Sequence, residues 1–92
     1  KKKRNILLVD DNKINLILLE VMLEAEHVNI VSTDDGYAAL ELLEEAHNKK
    51  QAFDVIFMDE HMPSMCGTDV INIFRSFEKE NNFKPILAIS IT

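Results

Sequence analysis

Short apolar runs alternate along the chain with longer segments in which apolar side chains recur every three or four positions. Four runs have the length and the polar or turn-forming boundaries of buried β-strands, and they are Ile6–Val9, Val28–Ser32, Phe53–Met58 and Ile86–Ile91. The second run is less apolar and alternates in polarity, so it belongs nearer the edge of a sheet.

Three segments between these runs have the spacing of amphipathic helices, namely Lys13–Glu26, Tyr37–His47 and Thr68–Lys79. Side chains that cap helix N-termini stand before or at their starts: Asn12, the turn Thr33–Gly36, and Thr68. The first helix carries an apolar stripe formed by Ile14, Ile17, Leu18, Val21, Met22 and Ala25, which Leu16, Leu19 and Leu23 widen. We therefore expect this helix either to be well covered or to meet a partner.

The resulting order β-α-β-α-β-α-β predicts an α/β fold. Strands that alternate with helices form a parallel sheet with right-handed crossovers and helices on both faces. The chain of 92 residues is expected to be one domain, preceded by a basic linker or arm at residues 1–4.

Composition excludes several classes of protein. The formal net charge of −6 argues against nucleic-acid binding. The single cysteine allows no internal disulfide and no cysteine-based zinc site, and it fits a reducing compartment. No apolar stretch reaches the roughly 18 residues that span a bilayer. We therefore expect a cytoplasmic domain that does not bind membranes.

Acidic side chains follow two of the predicted strands. Asp10 and Asp11 end the first strand, Asp59 ends the third, and Ser90 lies near the end of the fourth. The carboxyl ends of parallel strands share one edge of the sheet, so these groups are expected to converge. Close carboxylates either shift their pKa values or bind a cation, and an all-oxygen set favours Mg²⁺. Either Asp10 or Asp11 alone could instead be an ordinary acid at a helix N-terminus.

The motifs resemble the receiver domain of two-component response regulators. They are the acidic segment Val9–Asn12, then Met58-Asp59 followed by Met62-Pro63 and Gly67, and Ile89-Ser90 after Pro85. The segment Asp11–Asn15 is most similar to receivers attached to hybrid sensor kinases. The resemblance implies a flavodoxin-like fold with strand order 2-1-3-4-5.

The resemblance also implies a role for each residue of the acidic edge. Asp59 would accept a phosphoryl group from a phosphohistidine of a histidine kinase or phosphotransfer domain. Asp10, Asp11, Asp59 and the backbone carbonyl of His61 would hold Mg²⁺, and Ser90 would bind the transferred group and switch the surface presented to a partner. Such a domain is a phosphoacceptor with self-catalysed phosphorylation and dephosphorylation, not a dedicated enzyme.

The family's fold continues after the fourth strand, whereas this sequence stops at Thr92. We therefore expect a C-terminally incomplete receiver without the last β-α unit and without the lysine that the family carries after its fifth strand. Two expectations follow. The chain either forms a homodimer through the exposed edge of its fourth strand or is the ordered portion of a longer chain, and its phosphorylation by small phosphodonors is feeble.

Two alternatives stand beside this interpretation. The chain could be a truncated or pseudo-receiver that binds proteins and is never phosphorylated. It could also be a Mg²⁺-dependent phosphatase or phosphotransferase, although those enzymes tend to carry nucleophile and acid two residues apart on one strand end. Near the site, Glu60 is expected to be a solvated loop acid and the His61 side chain to face solvent. His47 is expected to make only a dipole contact at a helix end.

Overall fold

The computed structural model describes residues 4–24 and 28–91. Its four strands form one parallel sheet in the order β2-β1-β3-β4. They are β1 (Arg4–Val9), β2 (Val28–Thr33), β3 (Val55–Met58) and β4 (Leu87–Ser90). The predicted parallel α/β fold and its strand order are confirmed.

Three helices cover the two faces of this sheet: α1 (Lys13–Glu24), α2 (Gly36–Asn48) and α3 (Gly67–Glu80). Side chains alternate along β1, so Leu7 and Val9 enter the larger core under α2 and α3, while Ile6 and Leu8 enter the smaller core under α1. Over the ranges that the structure describes, no helix is long and apolar enough to cross a membrane.

Some strand boundaries differ from the prediction. β3 begins at Val55 and not at Phe53. Just before it, the Asp54 carboxylate accepts the N–H of Asn5 at 2.7 Å, and the N–H of Asp54 donates to the carbonyl of Asn5 at 2.7 Å. Arg4 pairs with Val28 and belongs to β1, not to a basic arm; residues 1–3 lie outside the described ranges.

Most of the apolar stripe predicted for α1 is exposed in the structure. Its described members are exposed by 56–71%, and we call them the α1 apolar face: Ile14, Ile17, Leu18, Val21 and Met22. Ala25 lies outside the described residues. Leu16, which is 8% exposed, and the half-buried Leu19 face the sheet instead. Periodicity could not choose between two apolar stripes on one helix.

Polar contacts at the N-terminus of α1 are consistent with the observed rotation of the helix. As predicted, Asn12 caps it, and its side-chain oxygen accepts the N–H of Ile14 at 2.9 Å. The amide of Asn15 donates to Asp10 at 3.2 Å, which ties one side of the first turn to the end of β1.

His47 at the end of α2 is buried and not merely in contact with a helix dipole. Its ring packs edge-on against Phe74, with centroids 5.1 Å apart, and lies 4.7 Å from the ring of Phe83. Its Nδ1 lies 3.1 Å from the carbonyl oxygen of Leu43. The imidazole therefore packs at the edge of the larger core, away from the acidic residues.

Candidate functional site

Three carboxylates meet at the C-terminal edge of the sheet, as the sequence predicts. Val9 pairs with Met58, and the N–H of Asp59 donates to the carbonyl of Val9 at 2.9 Å, so the ends of β1 and β3 lie side by side. Oxygen atoms of Asp10, Asp11 and Asp59 all lie within 4.8 Å of one another. Strand pairing, with no long loop involved, therefore builds the acidic cluster.

Two hydrogen bonds hold the carboxylate of Asp10. Its Oδ1 accepts the N–H of Asn12 at 2.9 Å, and its Oδ2 accepts the side-chain amide of Asn15 at 3.2 Å. Asp10 is 1% exposed, whereas Asp11 beside it is exposed. Asn15 is a site residue that the sequence argument missed; an amide in the first helical turn after an acidic pair is the signal that could have identified it.

Asp59 carries the signs of a perturbed carboxyl group. Its pKa is raised, first by burial and then by the negative charges of Asp10 and Asp11, although the N–H of His61 opposes the shift by donating to Oδ1 at 3.3 Å. A cation at this place would relieve the same repulsion. Three carboxylates are hard oxygen donors, so the residues fit Mg²⁺.

The loop after Asp59 is closed by its neighbour Glu60. One oxygen of the Glu60 carboxylate accepts both the N–H and the hydroxyl of Thr68, at 2.7 and 2.6 Å, and these bonds lower the pKa of Glu60. The N–H of Gly67 donates to the Glu60 carbonyl at 3.1 Å. Glu60 is the partly exposed loop acid that we predicted, and in addition its bonds to Thr68 tie the loop to α3.

The start of α3 also corrects the capping prediction. The helix begins at Gly67, so Thr68 lies inside it, and Cys66 at the N-cap position makes no side-chain capping bond. The Glu60 carboxylate binds the free N–H of Thr68 in place of a cap. A Cβ atom on Gly67 would overlap the carbonyl oxygen of Asp59, so only glycine fits this close approach.

Ser90 and His61 lie at the same edge. Ser90 is the last residue of β4 and pairs with Met58, while the N–H of Ile91 donates to the Met58 carbonyl at 3.2 Å. Ser90, Glu60 and Thr68 line an open cavity of about 270 Å³, and none of the three acids is among its lining residues. The His61 side chain is exposed, as expected. The roles of Ser90 and of the His61 carbonyl stay predictions.

Sequence and structure comparisons agree with this geometry. Residues 6–92 match the family described as response regulator receiver domain. The hybrid signal transduction histidine kinase M of Dictyostelium discoideum is 34% identical over 87 residues, which are 95% of this chain and 4% of that protein. The chain thus spans a small part of the curated histidine kinases that it matches, 4–9% of their length.

Two solved structures extend the comparison. The receiver domain of the Arabidopsis thaliana histidine kinase CKI1, complexed with Mg²⁺ and BeF₃⁻, has a TM-score of 0.80 and 31% identity, covering 95% of this chain and 65% of that one. A Saccharomyces cerevisiae co-crystal of the phosphotransfer protein Ypd1 with the Ssk1 receiver domain gives a TM-score of 0.83 and 27% identity, covering 98% and 63%. The family match, the shared fold and the acidic edge together show that the chain belongs to the response regulator receiver domain family.

Proposed function

We propose that the chain is the phosphoacceptor domain of a two-component phosphorelay. Asp59 takes the phosphoryl group from a phosphohistidine on a histidine kinase or phosphotransfer domain, in the presence of Mg²⁺. The observation that carries this proposal is the buried Asp59 carboxyl, with its raised pKa, among Asp10 and Asp11 within 4.8 Å.

The chemistry is a single transfer between two protein side chains. An oxygen of the Asp59 carboxylate attacks phosphorus and forms the P–O bond of an aspartyl phosphate, while the P–N bond breaks and its electron pair leaves with the imidazole. The N–H of His61 orients the carboxylate through Oδ1. A Mg²⁺ ion held by Asp10, Asp11, Asp59 and the His61 carbonyl would neutralise charge on the phosphoryl oxygens.

Ser90 is proposed to bind the phosphoryl group after the transfer. Its hydroxyl lies at the end of β4, next to the strand that delivers Asp59. Donating a hydrogen bond to the new phosphoryl group would draw the end of β4 toward the site and change the adjoining surface.

The α1 apolar face is proposed to receive the phosphohistidine-bearing partner. It begins with Ile14, two residues after the acidic segment, and Asn15 in the same turn is bound to Asp10. Several large aliphatic side chains exposed together are unusual on a soluble surface and are typical of an interaction site. The related Ssk1 receiver was crystallised with a phosphotransfer protein, which supports a partner of that class.

A titration with Mg²⁺, with and without beryllofluoride, tests the proposal. We expect the backbone amide signals near Asp59 to shift in wild type, and the beryllofluoride response to disappear in Asp59→Asn. Asp34→Asn is the matched control, because Asp34 follows β2 at the same edge and is exposed but does not belong to the acidic cluster. A wild type without a beryllofluoride response would contradict the proposal and favour an unphosphorylated pseudo-receiver.

A further inference from the structure

Glu60, the residue directly after Asp59, makes three hydrogen bonds to the first two residues of α3. Its Oε1 atom accepts both the N–H of Thr68, at 2.7 Å, and the hydroxyl of Thr68, at 2.6 Å. Its carbonyl oxygen accepts the N–H of Gly67 at 3.1 Å. Hydrogen bonds to a carboxylate are stronger than those between neutral groups, so the Glu60–Thr68 pair is the firmest part of this contact.

The loop between these two residues has few other hydrogen bonds. Among those of the described residues, positions 61–65 make two: the N–H of His61 donates to Asp59 at 3.3 Å, and the hydroxyl of Ser64 donates to Asp35 at 2.8 Å. The side chain of His61 is exposed. The position of the His61 backbone therefore depends mainly on how its two neighbours in the chain are held.

Both neighbours of His61 are fixed, each by a different part of the fold. Met62, on one side, is 8% exposed and packs in the larger core. Glu60, on the other side, is partly exposed and is held by its bonds to α3. Loss of the bonds to Thr68 would leave the main-chain bond to Gly67 as the contact between Glu60 and the helix.

This placement matters because the backbone carbonyl of His61 is one of the proposed ligands of Mg²⁺. The ion requires near-ideal octahedral geometry at about 2.0–2.1 Å, so it tolerates little displacement of a ligand. Groups that orient metal ligands without touching the metal typically change metal affinity about 10–100-fold when they are removed. The Glu60–Thr68 pair lies one residue from such a ligand.

We propose that Glu60 and Thr68 are positioning residues for Mg²⁺: by tying the chain after Asp59 to α3, they hold the backbone of His61 where its carbonyl can bind the ion. This inference rests on the metal site of the function proposed above. Coupling between two equilibria is reciprocal, so a bound ion must also strengthen the Glu60–Thr68 pair. The acidic edge and the first turn of α3 are thereby linked.

The affinity for Mg²⁺ alone, measured from the shifts of backbone amide signals, tests the first half of the proposal. Thr68→Val removes the hydroxyl without changing charge, and we expect an affinity about threefold weaker. Glu60→Ala removes both bonds and should weaken binding about tenfold. Thr68→Ser should restore the wild-type value. In a Glu60→Ala background, Thr68→Val should change the affinity less than about twofold, because the bond is already absent.

Asp69→Asn is the matched control for the charge that Glu60→Ala removes. Asp69 follows Thr68 in the first turn of α3 and is exposed, but it takes no part in the Glu60–Thr68 pair. We expect this variant to change the affinity less than about twofold, since exposed charges are screened. Thr68→Val keeps every charge, so it also provides the test if Glu60→Ala does not fold.

Hydrogen exchange of the Thr68 amide tests the reciprocal half. Saturating Mg²⁺ should slow this exchange about tenfold, the factor expected for Glu60→Ala, because the N–H is bonded to Glu60. The N–H of Ala38 is the internal control: the Asp35 carboxylate accepts it at 2.9 Å at the start of α2. Its exchange should not respond to Mg²⁺.

Three results would overturn the positioning role. The first is an unchanged Mg²⁺ affinity in both Thr68→Val and Glu60→Ala. The second is a loss in Asp69→Asn as large as that in Glu60→Ala, which would reflect charge alone. The third is equal slowing of exchange at Thr68 and Ala38, which would reflect a general stabilisation of the fold.

The phosphoacceptor proposal is tested separately by the beryllofluoride response of the wild type. With that response intact, any of the three results would overturn the positioning role and leave the phosphoacceptor proposal standing. Binding of Mg²⁺ without any beryllofluoride response would overturn the phosphoacceptor proposal alone. A wild type that binds no Mg²⁺ would overturn both.

Discussion

At the scale of single residues, two buried carboxylates differ in the number of hydrogen bonds that they accept. Asp10 accepts two bonds, one on each oxygen, at 2.9 and 3.2 Å. Among the described contacts, Asp59 accepts one bond, on Oδ1 and at the longer distance of 3.3 Å. Asp10, the proposed metal ligand, is therefore held in one orientation, whereas Asp59, the proposed nucleophile, keeps an oxygen that accepts none of the described hydrogen bonds.

Gly67→Ala should damage the site through the backbone. The new Cβ would overlap the carbonyl oxygen of Asp59, so the loop that begins at Asp59 must move. We expect a loss of about 1–3 kcal/mol in the free energy of unfolding, as for other overpacked sites, together with weaker Mg²⁺ binding. Urea denaturation and Mg²⁺ titration measure the two effects.

Gly36→Ala is the matched control for that change. A Cβ at Gly36 would lie 2.9 Å from a methyl group of Val70 and 3.1 Å from Cβ of Met65, away from the acids. This variant should lose stability but keep the wild-type Mg²⁺ affinity. Equal Mg²⁺ binding by both alanine variants would show that the contact with Asp59 does not control the site.

Asp35 should make stability depend on acid pH. Its carboxylate accepts the N–H of Ala38 at 2.9 Å as the cap of α2 and the hydroxyl of Ser64 at 2.8 Å, and these bonds, the first above all, lower the pKa of Asp35. A lowered folded-state pKa gives stability that is present above the unfolded value of about 3.9 and is lost as pH falls through the folded one.

Asp35→Asn isolates this titration, because asparagine also caps helices but carries no charge. Melting temperatures measured from pH 7 to pH 2 should show wild type more stable than the variant near neutral pH. The difference should shrink below about pH 4, where the aspartate becomes protonated. A difference that is constant over the whole pH range would exclude a contribution from the charge of Asp35.

At the scale of elements, α1 carries two apolar faces, one buried against the sheet and one exposed. Leu16→Ala should cost about 2–5 kcal/mol in the free energy of unfolding, because Leu16 is buried against the sheet. Ile17→Gln should change stability by no more than about 0.5 kcal/mol, as at other exposed positions. Phosphotransfer from a phosphohistidine partner should instead slow in Ile17→Gln.

Phosphotransfer assays and thermal melts of both variants distinguish the contribution of each face to stability from its contribution to partner binding. Chemical phosphorylation in the absence of a partner is the control, and it should be equal in wild type and Ile17→Gln. A large destabilisation by Ile17→Gln would mean that the stripe is buried after all. An unchanged transfer rate would show that the α1 apolar face does not contact the partner.

Element type was predictable because periodicity is a property of the sequence, whereas element rotation and ends were not. The alternation of short apolar runs with amphipathic segments located every strand and helix in order. The orientation of α1 depends on contacts with other elements, such as the bond between Asn15 and Asp10. The start of α3 at Gly67 depends on Glu60, which lies in the preceding loop, beyond the reach of any local capping rule.

At the scale of the whole molecule, the free side of β4 invites pairing. Among the described residues β4 contacts β3 on one side only, and Leu87 and Ile89 are exposed. Where no further strand covers this edge, we propose a concentration-dependent homodimer through it, since unpaired strands are templates for further pairing. Sedimentation velocity over a range of concentrations measures the association.

Leu87→Lys should weaken this dimer, because a charged side chain disfavours edge-to-edge pairing. Ile73→Lys is the control, since Ile73 is also exposed but lies on α3. A wild type that sediments as a monomer at all concentrations would refute pairing through β4. Equal weakening by both lysine variants would point to a general effect of charge.

Convergence of the site could be predicted from topology alone, because parallel strands deliver their ends to one edge. Asp10, Asp11 and Asp59 needed only a correct strand order to be placed together. The two hydrogen bonds that Arg75 and Glu78 make to the main chain of Ile86 could not be predicted in this way. Both residues look like ordinary members of an exposed helix face until the packing of α3 on the sheet is known.

The central place of β1 has a consequence for synthesis of the chain. β1 is buried between β2 and β3, yet β3 begins only at Val55, long after Val9 has been made. At translation rates of about 5–20 residues per second, β3 is synthesised roughly 2–10 s after Leu7 and Leu8 of β1. During that interval the nascent chain exposes one edge of an apolar strand. A mutation that slows the pairing of β3 with β1 would therefore first lower the yield of folded protein.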